Sequence, residues 1–119
     1  IIITPGVPKT QVPVELSQGD IFLNTTRADN QPVSVLEAMA CGLCVVGTNV
    51  GGLPYVIESG IDGLLSPPDD AAAMAENIRH LLLDTQLAAQ ISANARRRVE
   101  YYTWKFVSAQ CEEVFYRVV

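Results

Sequence analysis

Two acidic residues eight positions apart, Asp29 and Glu37, flank a stretch suited to holding an anion. Between them run Asn30, Gln31, Pro32, Val33, Ser34, Val35 and Leu36. Proline fits the first position of a helix, where a missing N–H is no loss, and Asn30 or Gln31 then takes the cap. Residues 33–40 are good or tolerable helix formers, and Gly42 supplies the stop. A helix that begins this way leaves unpaired N–H groups and a partial positive charge at its tip, a seat for phosphate. With proline removing one donor, Val33, Ser34 and Val35 are expected to supply the others. Glu37 shares a helix face with Val33 and lies roughly 6 Å along the axis from the first free amide. Its carboxylate can accept two hydrogen bonds from neighbouring hydroxyls, while Asp29 stands on the loop before the helix. An anion seat with an acid on either side suits a sugar–diphosphate–nucleoside, one acid for each sugar ring. By spacing alone, the pair also fits a helix-start acid and a solvated helix glutamate, the commoner arrangement.

The helix needs a strand ahead of it. Residues 20–24, Asp-Ile-Phe-Leu-Asn, form a short apolar run after Gly19 and read as a buried strand leading into the acidic loop. Residues 44–47 form the next strand. A second strand-to-helix loop follows at residues 48–54, where the adjacent Gly51 and Gly52 permit a backbone closed to other residues and Pro54 opens a helix over 53–58. In a parallel sheet both loops fall on the carboxyl edge, where ligands gather. Residues 60–63 read as a turn and 64–65 as a last short strand. Pro67, Pro68, Asp69 and Asp70 end that strand and cap a helix over 71–83, with Ala75, Ile78, Leu81 and Leu82 as its apolar stripe. Two more helical stretches cover 84–101 and 103–118, with Trp104 and Phe106 expected to anchor the last by packing. Ahead of all this, residues 1–4 read as a β-branched strand, 5–8 as a turn or extended link, and 12–17 as a short helix. Four near-continuous apolar strands, each followed by a helix or turn-helix, predict an α/β fold: a Rossmann-like parallel sheet with flanking helices.

The stretch over residues 29–42 resembles the E-x7-E region of retaining glycosyltransferases of family 4, which have the GT-B fold. The likeness continues through Thr48-Asn49-Val50-Gly51-Gly52-Leu53-Pro54 and Ile61-Asp62-Gly63-Leu64-Leu65-Ser66-Pro67-Pro68-Asp69, and reaches Trp104. It implies the carboxy-terminal, nucleotide-sugar-binding portion of such an enzyme. The amino-terminal acceptor domain would be absent, with the cation that grips the diphosphate also upstream. Carried over by position, Glu37 binds the ribose hydroxyls. Asp29, the catalytic position, holds donor-sugar hydroxyls near the charge developing at the anomeric carbon. The backbone of Asn30, Gln31, Pro32, Val33, Ser34 and Val35 receives the diphosphate, and Gly51 and Gly52 border the same edge. Residues 5–9 border the base or serve as a plain connector. The resemblance implies a nucleotide-diphosphate sugar as donor substrate, with no cofactor and no bound metal. Two departures bear on the donor sugar: Asp29 is one methylene shorter than the usual Glu, and Asn30-Gln31-Pro32 replaces a Gly-Phe-Gly turn. Tyr55 stands where the family usually has Glu and is given no role.

At 119 residues, with 49% apolar and only 18% charged, the chain is one domain or part of one and has enough apolar residues for a core. A net charge of −5 argues against nucleic acid or an anionic membrane as partner. The run Arg96, Arg97, Arg98 reads as a solvated helix face, and the single histidine, His80, as a surface or core-edge residue. Cys41 and Cys44 make a C-x-x-C without the second pair a zinc site needs. Cys41 also sits at the end of a helix, the wrong end for a redox thiolate. Buried, reduced thiols and a cytoplasmic location are expected. No window is apolar for long enough to cross a bilayer, and no signal peptide is visible. The first residues lie inside an apolar run without Met, as in a fragment. Such a fragment exposes an edge of the 20–24 strand, which is expected to re-pair with residues 1–4 or to join two chains as a homo-oligomer. A different class of reading remains: a self-associating α/β module that binds little or no nucleotide. An unrelated Rossmann-like phosphate binder lacks a Gly-x-Gly-x-x-Gly or P-loop lysine to support it.

Overall fold

A computed structural model describes residues 6–118. Among them three strands, β1 (Ile21–Asn24), β2 (Cys44–Thr48) and β3 (Leu64–Ser66), form a parallel sheet in the order β1-β2-β3. The expected strand at residues 1–4, and its re-pairing with β1, lie outside the described residues. β2 is central and buried along its whole length, as its Cys-Val-Val-Gly-Thr sequence requires. β1 is only partly covered, and Leu23 on it is 47% exposed.

Alternation along β2 sends successive side chains to opposite faces and builds two cores. Val45 joins Val35, Ala38 and Met39 of α2 (Val33–Ala40) and Val56 of α3 (Leu53–Val56). Cys44 and Val46 join Leu64, Leu81 of α4 (Ala71–Leu83) and Ile91 of α5 (Thr85–Val99). α5 spans both cores, since its Ala95 belongs to the first. It also closes the amino end of the sheet, where Ser92 donates a hydrogen bond to the Gly42 carbonyl at 2.6 Å and the Cys44 thiol to that of Ala88 at 3.3 Å. The carboxyl end is left to loops. A short α1 (Val12–Leu16) precedes the sheet, and a 3-10 turn (Glu100–Tyr102) leads into α6 (Trp104–Val118).

Helix ends follow local chemistry. α2 stops in a Schellman arrangement, with Gly42 at φ +82°, its N–H bonded to Met39 and that of Leu43 to Ala38. Asp70 and Asp84 cap α4 and α5 through their side chains.

Several expectations are corrected. The stripe on α4 is Met74, Ile78 and Leu81; Ala75 and Leu82 face solvent, because the helix is rotated toward β2 and β3. α3 ends at Val56 rather than residue 58. Ile57 goes extended to fill the core, and the Asp62 carboxylate takes the Glu58 N–H at 2.8 Å. The arginine run is not simply solvated. Arg98 reaches the carboxylate of Asp62, itself 2% exposed, and pairs with Glu58 at 2.9 Å; Arg96 donates to the Ala40 carbonyl at the end of α2. Burial works against the Arg98 charge, but the hydrogen bond and charge of Asp62, aided by Glu58, raise its pKa above the usual value. Trp104 and Phe106 do not anchor α6: they are 79% and 44% exposed, the Phe106 ring lies 5.4 Å from that of the exposed Tyr101, and the half-buried residues of the helix are Val107 and Ser108. Of the three free cysteines, Cys44 is buried, Cys41 half-buried and Cys111 exposed. Burial raises the pKa of the Cys44 thiol, against a backbone hydrogen bond from Ser92 and with the nearby Asp20 charge.

Candidate functional site

Three loops meet at the carboxyl edge of the sheet, and hydrogen bonds knit them together. Asn24 closes β1 and accepts the Thr26 N–H at 3.0 Å through its side chain, turning the chain at once. The Thr48 hydroxyl, at the end of β2, donates to the Thr26 carbonyl. The Thr26 hydroxyl donates to the Ala28 carbonyl at 2.9 Å. Asn49 donates through its backbone to Ser66 at 2.7 Å, joining the second loop to β3. On the far side, Arg27 and Asp69 pair at 2.8 Å across an open cleft of about 320 Å³, walled also by Thr25, Thr48, Pro67 and Met74. Asp69 holds φ +59°, a strained conformation for a residue with a side chain.

The adjacent glycines take their meaning from this assembly. The Gly52 N–H donates to the Asp29 carbonyl at 2.8 Å. A Cβ on Gly51 would overlap the Asp29 carbonyl oxygen, and one on Gly52 that of Asn30. Gly51 is also left-handed, at φ +54°. The second loop therefore lies directly on the backbone of the first, which only glycine permits. Gly51 and Gly52 face the Asp29–Asn30 backbone, and through it they fix where Asp29 stands.

The start of α2 differs from expectation. Pro32 is buried and occupies the cap itself in an extended conformation, φ −73° and ψ 101°, with no side-chain cap. Asn30 and Gln31 are exposed and do not cap. The Pro32 carbonyl already accepts the Val35 N–H at 3.0 Å and that of Leu36 at 3.4 Å. That leaves the Val33 and Ser34 amides without a partner among the described residues, and both residues are exposed. Val35 is spent on the helix.

Asp29 is half-buried on the loop and Glu37 half-buried in the second turn of α2. Among the described residues, neither carboxylate has a hydrogen-bond or ion-pair partner. Glu37 lines a cleft of about 350 Å³ with Leu36, Ala40, Arg96, Val99, Tyr102 and Thr103. Asp29 is not among its walls. The structure thus joins Asp29, Asn30, Gly51 and Gly52 into one clamped unit, sets Val33 and Ser34 at a free helix tip, and places Glu37 beside the 3-10 turn. The anchoring roles of Asn24, Thr26 and Thr48 escaped the sequence reading. The signal was a run of hydroxyl and amide residues directly after an apolar strand, the composition of side-chain-bonded turns.

This arrangement can receive an anion on two backbone amides and a helix dipole; the expected flanking acids do not share a cleft, since Asp29 stands on the loop before the tip and Glu37 opens into the separate cleft beside the 3-10 turn. No helix among the described residues is long and apolar enough to cross a membrane.

Comparison with known proteins points to one family. The family described as glycosyl transferases group 1 matches residues 1–98. The chain is 33% identical over 105 residues to N-acetyl-alpha-D-glucosaminyl L-malate synthase of Bacillus anthracis, covering 87% of this chain and 28% of that protein. It is 40% identical over 83 residues to phosphatidyl-myo-inositol mannosyltransferase of Mycolicibacterium smegmatis, covering 70% and 22%. Among solved structures, Anabaena HepE in complex with UDP superposes with a TM-score of 0.80 at 27% identity, over 92% of this chain and 30% of that one. The chain spans less than a third of the length of these relatives.

Proposed function

The chain belongs to the glycosyl transferases group 1 family, and on that premise we propose that it is the donor-binding part of a retaining, hexosyl-type glycosyltransferase. Its fold is an α/β, Rossmann-like parallel sheet with flanking helices, shared with GT-B glycosyltransferases. The reading rests most on one observation: two free amides at the tip of α2, beside an acid whose backbone is clamped in place.

In this reading the Val33 and Ser34 amides and the dipole of α2 receive the diphosphate, stabilising the leaving group as its charge develops. Asn30, Gln31 and Pro32 shape the approach to that tip. Asp29 holds hydroxyls of the donor sugar and is the catalytic position, close to the anomeric carbon. Glu37 accepts hydrogen bonds from the ribose. Gly51 and Gly52 act at one remove, by letting the second loop hold Asp29 where it stands. The structure of HepE with UDP supports a nucleotide-sugar donor.

The acceptor is held by an amino-terminal domain outside this chain, and these 119 residues are inactive alone. The outer edge of β1 is where a preceding strand pairs, or where two copies join. Free thiols suit a reducing, cytoplasmic setting.

The test is titration of UDP-, GDP- and ADP-sugars into the labelled chain. One nucleotide is expected to saturate, with amide shifts centred on Val33 and Ser34. Glu37→Ala is expected to weaken that binding by about 10- to 100-fold, the worth of a hydrogen bond to a charged group. Saturation by none of the three, or an unchanged affinity in Glu37→Ala, overturns the reading in favour of a module that only associates.

A further inference from the structure

We propose that the cavity at the amino edge of the sheet is a binding site for a small organic cation, an ammonium or guanidinium carried on an apolar body. It lies at the other end of the strands from the α2 tip, so it does not rest on the donor reading. Its volume is about 470 Å³, larger than the clefts beside Arg27 and Glu37 and within the range of small-molecule sites. Ile21, Leu43, Leu81, Leu82 and Ala88 give it an apolar lining.

The sense of its polar groups selects the ligand. The Ser17 hydroxyl donates to the Val14 carbonyl at 2.8 Å, the Ser92 hydroxyl to Gly42 at 2.6 Å and the Cys44 thiol to Ala88 at 3.3 Å. Each of these groups has a single hydrogen, already spent on a carbonyl, so it offers the cavity lone pairs and no donor. Thr85 keeps a hydroxyl that can turn either way. Asp20 adds a carboxylate, an acceptor only, which is exposed and has no hydrogen-bond or ion-pair partner among the described residues. Burial is the main cause of the raised Cys44 pKa, and the Asp20 charge adds to it, as expected of a carboxylate close to the thiol. A ligand matched to these walls must bring the hydrogens.

The field has the same sign. α2 and α4 both end beside this cavity, at Cys41 and at Leu81 and Leu82, and helix carboxyl ends carry partial negative charge. α5 begins here, but the Asp84 carboxylate caps it. Among the described residues no lysine, arginine or histidine lines the cavity. Arg96, which meets the Ala40 carbonyl, opens instead on the cleft beside Glu37. No three metal-ligating side chains gather among the described residues, so a bare metal ion is not the occupant. An anion is repelled and an alcohol lacks the charge, whereas an N–H cation on an apolar body meets both kinds of wall.

The probe is phenethylammonium, titrated to about 10 mM into the whole labelled chain and followed by amide shifts. Phenethyl alcohol and hydrocinnamate, a neutral and an anionic compound with the same ring, are the comparisons. Half-saturation by the ammonium is expected on the order of 1 mM, with the largest shifts at Asp20, Leu82, Ala88 and Ser92. The alcohol should bind about tenfold more weakly, for want of charge-assisted hydrogen bonds, and hydrocinnamate should not saturate. Asp20→Asn alters an exposed side chain without a partner and should reduce the ammonium to the level of the alcohol. Ala89→Phe, at an exposed helix position on the cavity wall, should block the ammonium altogether. The proposal is overturned if the ammonium gives no saturable shifts, if the alcohol or the carboxylate binds as tightly, or if either variant keeps the parent affinity. Shifts centred on Val33 and Ser34 would overturn it too, and would leave the nucleotide-sugar titration as a separate question.

Discussion

At Asp62 a carboxylate only 2% exposed is held between the Glu58 N–H and the Arg98 guanidinium. Arg98 is itself about a third exposed, so its removal admits some water to the carboxylate. Arg98→Ala is nevertheless expected to destabilise the fold by about 3 kcal/mol, because it leaves a buried charge unpaired. A denaturant midpoint moved by well under a third of that would show that Asp62 finds another partner. Nothing local in the sequence marked this pair, since the partners lie 36 residues apart and the three arginines look alike. Asp29 shows the opposite case. Its place in an acidic pattern was legible, but its half-burial and its clamped carbonyl follow from contact with a loop 23 residues further on, at Gly52.

At the scale of elements, α2 is the decisive piece. Its existence, its span and its stop at Gly42 could all be read from helix formers followed by glycine. Its start could not be read so closely. Proline fits either the cap or the first turn, and only the burial of the Pro32 ring among neighbouring elements chose the cap. That choice leaves Val33 at the first helical position, which gives a clean test of the tip. Proline is tolerated there, and Pro32 already has the extended backbone that a following proline requires. Val33→Pro should remove one free amide with little change in thermal midpoint. Nucleotide-sugar binding is expected to fall about tenfold, as for one charge-assisted hydrogen bond. Equal affinity in a folded variant would show that the diphosphate does not use this amide.

Over the whole molecule the coverage is uneven. β2 is buried between two cores, whereas β1 has a sheet partner on one side only among the described residues, and α6 packs mainly on the 3-10 turn. Hydrogen exchange should therefore be slowest at Val45 and Val46, near the global limit, and faster by at least tenfold at Phe22 and Leu23. Uniform protection of β1 and β2 would mean that the edge is covered in solution. The long dimension of 51 Å against 30 and 29 Å is that of a body with an elongated outline, and Trp104, Val114, Phe115 and Val118 of α6 lie on its exposed surface.

The order of strands and helices and the meeting of two loops at the carboxyl edge of the sheet were present in the sequence, because period and turn chemistry act over a few residues. What tertiary structure decided were contacts between distant segments. The glycine pair became a loop-to-loop seat rather than a free backbone. One arginine of three went to a buried acid. The aromatic residues of α6 faced outward rather than in. Each of these depends on which surfaces meet when the sheet closes, and no short stretch of residues carries that information.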